Sequence, residues 1–380
     1  MHTLIAAPLG LSGIALVSYA TSFIRERFLL QRGLGSTSLD AAVAAYGLAA
    51  MVGNLAAMAL TLVWVDGRKI PRWASDHWAY AAVGTLLALV WPTAGACVLL
   101  ASLVVAFDFS RQKAAFEGRQ GVVLVAAAIA PAATIATWEL VGTKSLASIV
   151  GGYVAGYVVQ SGAAWVAGRR AVPRVATLAA TIVSRPQVSV AWPVVFAAAT
   201  QANGLLDRLI LGRSGVGWVG AGAFSFSLTS AMMLIVVSPA ASEALAGKLA
   251  SQPSTSLVLA VLVATVAALV AIPVLLPYLV GGGAVHGQNL HKVQAMALMY
   301  FAAVPSTGYL TFRARALQSS AAFWRPVTAA TFAVLLVHAL VSVPAGLLAH
   351  PLGVALGYLV SSYVGAALFI RTPRATHGRS

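Results

Sequence analysis

The chain has 380 residues, of which 60% are hydrophobic and 9% charged. A soluble domain carries roughly a quarter of its residues charged, so a water-soluble globule is excluded and a polytopic membrane protein is indicated. Lys and Arg outnumber Asp and Glu by 24 to 9, but they sit in short groups between apolar runs, which excludes the clustered basic face of a nucleic-acid-binding protein.

Apolar runs of about 17 to 25 residues are the length a helix needs to cross a bilayer. They lie near 4–28, 41–65, 120–138, 146–167, 188–208, 218–242, 256–280, 293–312, 327–347 and 352–370. The run Leu4–Ile24 lacks a basic n-region and a small-x-small cleavage site, so it reads as a retained span and not as a signal peptide. Trp78–Phe107 is too long for one ordinary span, and Trp91-Pro92-Thr93-Ala94-Gly95 puts turn chemistry at its middle, which predicts two short spans. Cys97 is the single cysteine, so no intrachain disulfide can form.

Cytoplasmic loops collect Lys and Arg. With twelve spans and a cytoplasmic N-terminus, most of the positive residues fall inside, including Arg68, Arg111, Arg169, Arg170, Arg313, Arg325 and Arg371. Both ends are then cytoplasmic. The halves also repeat: Gly151–Ala164, GGYVAGYVVQSGAA, resembles Gly353–Ala366, GVALGYLVSSYVGA, each as the sixth span of its half. An even number of spans per half relates the halves by an axis along the membrane normal. The expected architecture is an all-α membrane protein with two six-helix lobes, 1–167 and 188–371. A cytoplasmic linker, 168–187, joins them with room for an interfacial amphipathic helix, and 372–380 form a cytoplasmic tail. The Asp108, Arg111, Lys113 and Glu117 group and Arg313, Arg315 and Arg325 are expected on solvated cytoplasmic loops, the latter as a positive rim.

Two stretches stand out because they place charge at the ends of apolar spans, where a charge is costly unless it faces protein or water. In Ser18–Asp40, Ser18, Ser22, Arg25, Leu29 and Arg32 recur at three- and four-residue steps and share a helix face, whereas Arg27 points elsewhere. Asp40 begins the next span, a position favoured for an acid by capping and by the helix dipole. Gln201–Gly217, QANGLLDRLILGRSGVG, carries Asn203 and Asp207 on one face with Gln201 and Arg208 beside them, then Arg213 and a Gly-rich turn. Asp207 and Arg208 can pair with each other, join the lobe interface, or contact substrate or a coupling ion. The seven histidines are scattered without metal-ligand spacing. No nucleophile elbow, P-loop or HExxH occurs, so the expectation is a protein that is not an enzyme.

Ser18, Arg25, Glu26, Asp40 and Ala41, followed much later by Gln201, Asn203, Asp207 and Arg208 before a Gly-rich turn, resemble the lipid II flippase branch of the multidrug/oligosaccharidyl-lipid/polysaccharide (MOP) exporter superfamily. The chain departs from that pattern at Tyr19, where the family usually has arginine. It departs again in Tyr46–Leu60, which lacks the family's Pro-Asn and paired arginines. The resemblance implies two lobes around a central cavity that opens alternately to either side, and a polyprenyl-pyrophosphate-linked sugar as substrate. On that reading Arg25 and Arg208 form a pyrophosphate clamp, one from each lobe, with Arg32 and Arg213 as an outer ring. Asp40, Asn203 and Asp207 complete the site, Asp40 serving also as counter-ion to Arg25. The implied setting is the bacterial cytoplasmic membrane, as a monomer beside other cell-envelope biosynthesis proteins, without cofactor or ATP and with Na⁺ or H⁺ as the coupling ion to consider. Two other readings are an ion-coupled small-molecule exporter of the same superfamily and a membrane glycosyltransferase or polymerase.

Overall fold

The computed structural model describes residues 14, 16–29, 37–65, 77–116, 120–169, 191–237, 240–241, 253–280, 288–317 and 324–370. In chain order the helices are α1 (16–29), α2 (Thr37–Val65), α3 (His77–Val90), α4 (Pro92–Phe116), α5 (Gln120–Val141) and α6 (Leu146–Arg169). They continue with α7 (Ala191–Arg213), α8 (Trp218–Met232, running into a π-helical turn at Met233–Val237) and α9 (Thr255–Val280). Next come α10, in two parts (Gln288–Ala302 and Val304–Leu317), α11 (Trp324–Leu347) and α12 (Leu352–Ile370). Among the described residues no strand occurs, and six helices are long and apolar enough to cross a membrane, up to seven with the bent α10. Most of the linker 168–187, the tail 372–380 and Arg32 lie outside the described residues.

Two short helices do replace one long span over Trp78–Phe107. The break, however, is a single bend at Trp91, and Pro92–Gly95 is already the first turn of α4. Pro92 suits that place, because the first helical position needs no N–H and its φ is preset for the helix. The two helices fold back as a hairpin so tightly that a Cβ on Gly84 would meet the Leu99 main chain. Trp91 is exposed at the tip. In a Cys97→Ala background, Trp91→Cys is expected to react with an impermeant maleimide from the outer side of intact cells. Labelling from the cytoplasmic side alone would overturn the twelve-span topology.

The expected loops after the fourth and tenth spans are partly helix. α4 runs on to Phe116 and buries Asp108 to 7% exposure, and the second part of α10 buries Arg313 to 1%. Asp108 is therefore not in a solvated loop pair, and Arg313 does not belong to an exposed basic rim. Apolar neighbours such as Phe107 and Phe312 turn those helix faces inward and carry the charged residues with them. The two parts of α10 meet at 46°. Pro305 accounts for the bend, since its ring displaces the carbonyl four residues earlier and it cannot donate a hydrogen bond.

The same helix pairs recur in each half. α2 packs on α4, α4 on α6 and α5 on α6; α8 packs on α10, α10 on α12 and α11 on α12. The register of the fit recurs too. Gly156 of α6 lies against the Thr134 hydroxyl and the Ala130 carbonyl of α5, and Gly357 of α12 lies against the Ser342 hydroxyl and the His338 carbonyl of α11. Trp138 pins α5 to α6: it is fully buried, donates from Nε1 to the Ile149 carbonyl at 3.0 Å, and stacks on Phe28 of α1. α9, by contrast, exposes Leu259, Val263, Val266, Val270 and Val274, a face suited to lipid. The halves meet where α2 packs on α7 and α8, and Leu39, Ile210 and Val219 join one continuous apolar core there.

Candidate functional site

The site is built on α1, α2 and α7, with α8, α11 and α12 behind α7. Arg25 on α1 donates from Nε and Nη2 to Glu26 Oε1, at 3.0 and 2.5 Å. Its guanidinium lies over the Tyr153 ring, 5.3 Å from the centroid, a cation–π arrangement. It borders a polar cavity of about 170 Å³ inside the first half, shared with Ser22, Tyr46, Thr134, Tyr157 and Gln160. Ser22 and Arg25 thus do share a face, and Arg27 is exposed. The acid paired with Arg25 is Glu26. Asp40 is engaged elsewhere.

Asp40 lies in the first turn of α2, but its carboxylate caps a different helix in the other half. The Gly217 N–H donates to Oδ2 at 2.5 Å and the Gly220 N–H to Oδ1 at 3.0 Å. These amides open α8, whose own N-cap residue, Gly217, supplies no side chain. Gly215 and Gly217 have φ of 118° and 93°, a left-handed conformation that glycine adopts without penalty. The Gly-rich turn therefore aims the first amides of α8 at α2, and a carboxylate there also meets the positive end of the helix dipole.

Arg208 and Asp207 leave α7 in different directions. Arg208 Nη1 donates to the Gly204 carbonyl at 3.0 Å, and its guanidinium packs onto Gly47 of α2, where a Cβ would overlap it. Among the described residues Arg208 forms no ion pair. The Tyr46 phenol lies within electrostatic reach of both Arg208 and Arg25. Asp207 turns into its own half, where Oδ1 sits 2.6 Å from His338 Nε2 on α11. Asn203, one turn earlier, has a buried Oδ1 without a hydrogen-bond partner. Arg213 is exposed in the last turn of α7, where a cation complements the dipole.

His338 is 1% exposed, and no metal-ligand spacing points to it. The signal for it was simpler: it is an ionisable residue inside the apolar run Val334–Val343, and such residues are functional candidates by default. Gly47→Ala places a methyl where the Arg208 guanidinium lies and is expected to lower the thermal unfolding midpoint in detergent, at an overpacking cost of about 1–3 kcal/mol. Adding Arg208→Ala should restore most of that loss. An unchanged midpoint in the single variant would show that the guanidinium yields freely.

No family model matches the chain, and no curated protein matches its sequence. Solved structures do match. The lipid II flippase MurJ in an inward closed conformation superposes with a TM-score of 0.70 at 13% identity, over 95% of this chain and 86% of that one. A Vibrio cholerae MATE transporter gives 0.57 at 10% identity, with 97% of each chain covered. A Pyrococcus furiosus MOP superfamily transporter, described as having a binding pocket of reverse polarity, gives 0.54 at 13% identity over 95% and 94%. The fold is that of the MOP exporters. In MOP terms the two halves are the N-lobe and the C-lobe, and Asp40 and Arg208 both lie at the contact between the lobes.

Proposed function

We propose that this chain is a transporter of the MOP type that moves a polyprenyl-pyrophosphate-linked saccharide outward across a bacterial cytoplasmic membrane by alternating access. The observation that supports this most is the charge balance at the lobe contact. Glu26 is taken by Arg25, Asp40 by the α8 amides and Asp207 by His338, while Arg208 has only a main-chain carbonyl. A guanidinium that no carboxylate hydrogen-bonds among the described residues suits a diphosphate, whose oxygens it can engage in bidentate geometry. A cationic drug would meet repulsion there. Asn203, with its free buried oxygen, is then placed to accept from a sugar hydroxyl.

With the N-terminus cytoplasmic, the end of α2 that holds Asp40 faces outward, and the Asp40–α8 contact closes the outer side. The cavity must then load from the cytoplasmic side and release when that contact parts. The test is transport by the purified protein in liposomes of a fluorescent polyprenyl-pyrophosphate saccharide, beside a cationic dye. Movement of the saccharide but not the dye is expected. Movement of the dye alone would overturn the proposal in favour of a small-molecule exporter.

A further inference from the structure

Helix α10 is bent where its counterpart in the N-lobe is unbroken. α4 runs from Pro92 to Phe116 without a break, and Ser161 of α6 donates to its Leu103 carbonyl at 3.3 Å. Ser362 stands at the same interval after Gly357 as Ser161 does after Gly156, but it meets Ser306 Oγ, at 2.8 Å, just past the 46° break in α10. Side chains serve the main chain at that break. The Tyr363 hydroxyl of α12 donates to the Ala302 carbonyl at 3.0 Å, and the Ser306 hydroxyl donates to the Ala303 carbonyl at 2.8 Å. On the side of α12 the bend is therefore a fully bonded feature.

The side toward α9 is open. A groove of about 80 Å³ lies there, between the π-helical turn of α8, the first turns of α9 and the second part of α10. Toward the middle of the span it reaches Pro305 and Gly308, where the π-turn closes in: a Cβ on Gly308 would stand 3.1 Å from Val237. Its other end lies at Pro253, Leu257 and Phe312. The lining is apolar, so water in it would find few partners, and an empty slot forfeits the dispersion contacts of its walls. Val258 and Leu262 line the groove and are also exposed on α9, so it is continuous with the face that α9 turns to the bilayer. From the start of α9 to Leu262 it follows the helix for roughly 10 Å, within the ~15 Å of hydrocarbon that one leaflet supplies.

We propose that this groove is a binding site for one acyl chain of a bilayer phospholipid, and that a chain seated there holds α10 in its bent form. The slot is narrow for its length, which suits an unbranched chain. A prenyl chain, with its repeated methyl branches, fits it poorly. Pro305 and Gly308 belong both to the bend and to the groove wall, so a straightened α10 presents a different wall to the chain. Occupancy and bend are then linked, because the form that binds the chain more tightly is the form the chain stabilises. This holds whatever the space between the lobes carries.

The test uses no substrate, so its outcome is separate from that of the transport assay. The full chain is placed in nanodiscs of dioleoyl phosphatidylcholine with a trace of phosphatidylcholine carrying a diazirine near the end of one acyl chain, and photoadducts are mapped by mass spectrometry. Adducts within residues 253–262 and 305–312 are expected about tenfold above those on the exposed stretch Val266–Val274 of α9, the preference that burial of about two methylenes gives. Leu257→Trp, which fills the groove, should bring the two yields level. The bend is read by pulsed EPR between nitroxides at His291→Cys and Ala314→Cys, near the two ends of α10, in a Cys97→Ala background. Diphytanoyl phosphatidylcholine has the same headgroup but branched chains, and its use in place of the dioleoyl lipid should lengthen the separation by about 3 Å, the difference between a bent and a straight helix of this length. Even labelling along α9 in the unaltered protein overturns the site, and a separation that ignores the change of lipid overturns its link to the bend. Stronger labelling of the same residues by a diazirine polyprenyl phosphate than by the phospholipid makes the occupant a carrier lipid and overturns the proposal too. None of these readings depends on Leu257→Trp folding, and unchanged yields in that variant, once folded, count against the site as well.

Discussion

Arg208→Ala should lower transport of a pyrophosphate-linked saccharide in liposomes by about a hundredfold, because a bidentate pair of charge-assisted hydrogen bonds contributes on the order of 3 kcal/mol. The guanidinium hydrogen-bonds only a main-chain carbonyl among the described residues, and Asp207 keeps its hydrogen bond to His338 when it is removed. Lysine should rescue only in part, since an ammonium lacks the fork. Arg25→Ala should cost less, about tenfold, because Glu26 already shares that charge. Arg27→Ala should change little, since Arg27 is exposed on another face. Equal losses at Arg27 and Arg208 would mean that the substrate senses bulk positive charge and not a placed group.

Asp40→Ala should shift the protein toward the outward-open state. It leaves the Gly217 and Gly220 amides without an acceptor in the closed state only, and each such donor costs about 1–3 kcal/mol when buried. The check is a cysteine at Val43, buried on α2 just behind the contact, in a Cys97→Ala background. Its reaction with an impermeant maleimide added outside should speed up by at least about tenfold on adding Asp40→Ala, as a loss of ~1.4 kcal/mol or more requires. Asparagine should give an intermediate rate, since one amide oxygen can still accept. An unaltered rate would show that apolar packing of Leu39 and Val219, and not the carboxylate, keeps the lobes together.

Much of this was legible in the sequence. Apolar run length and the Gly-rich turns located the helices, and the likeness of Gly151–Ala164 to Gly353–Ala366 pointed to a repeat, although the packing matches Gly156 with Gly357, one residue away from that alignment. What the sequence withheld were partners. Asp40 stands at a helix start, where local spacing points to that helix, but the amides it caps lie nearly half the chain away. Asp207 has its counter-charge on α11, and Arg25 has its own in the next residue, Glu26. Local spacing decides which face a side chain occupies; which helix covers that face is decided by packing. The same limit explains Asp108 and Arg313, polar residues whose helices were continued inward by the aromatic residues beside them.

The matched Gly156 and Gly357 contacts differ in what lies beside them, and the difference has a mechanical side. Buried His338 is hydrogen-bonded to Asp207 of α7, and Ser342 one turn on donates to the Gly353 carbonyl of α12, so these helices resist shear, because a close-packed interior has low compressibility. The N-lobe holds a void of about 170 Å³ at the corresponding place, bordered by α1, α2, α5 and α6. Helix α1 borders that space at Ser22 and Arg25, while its Phe28 end stays stacked on Trp138. During a transport cycle the C-lobe should therefore travel as a stiff block, while the bending is concentrated in the N-lobe, about the helix that carries Arg25.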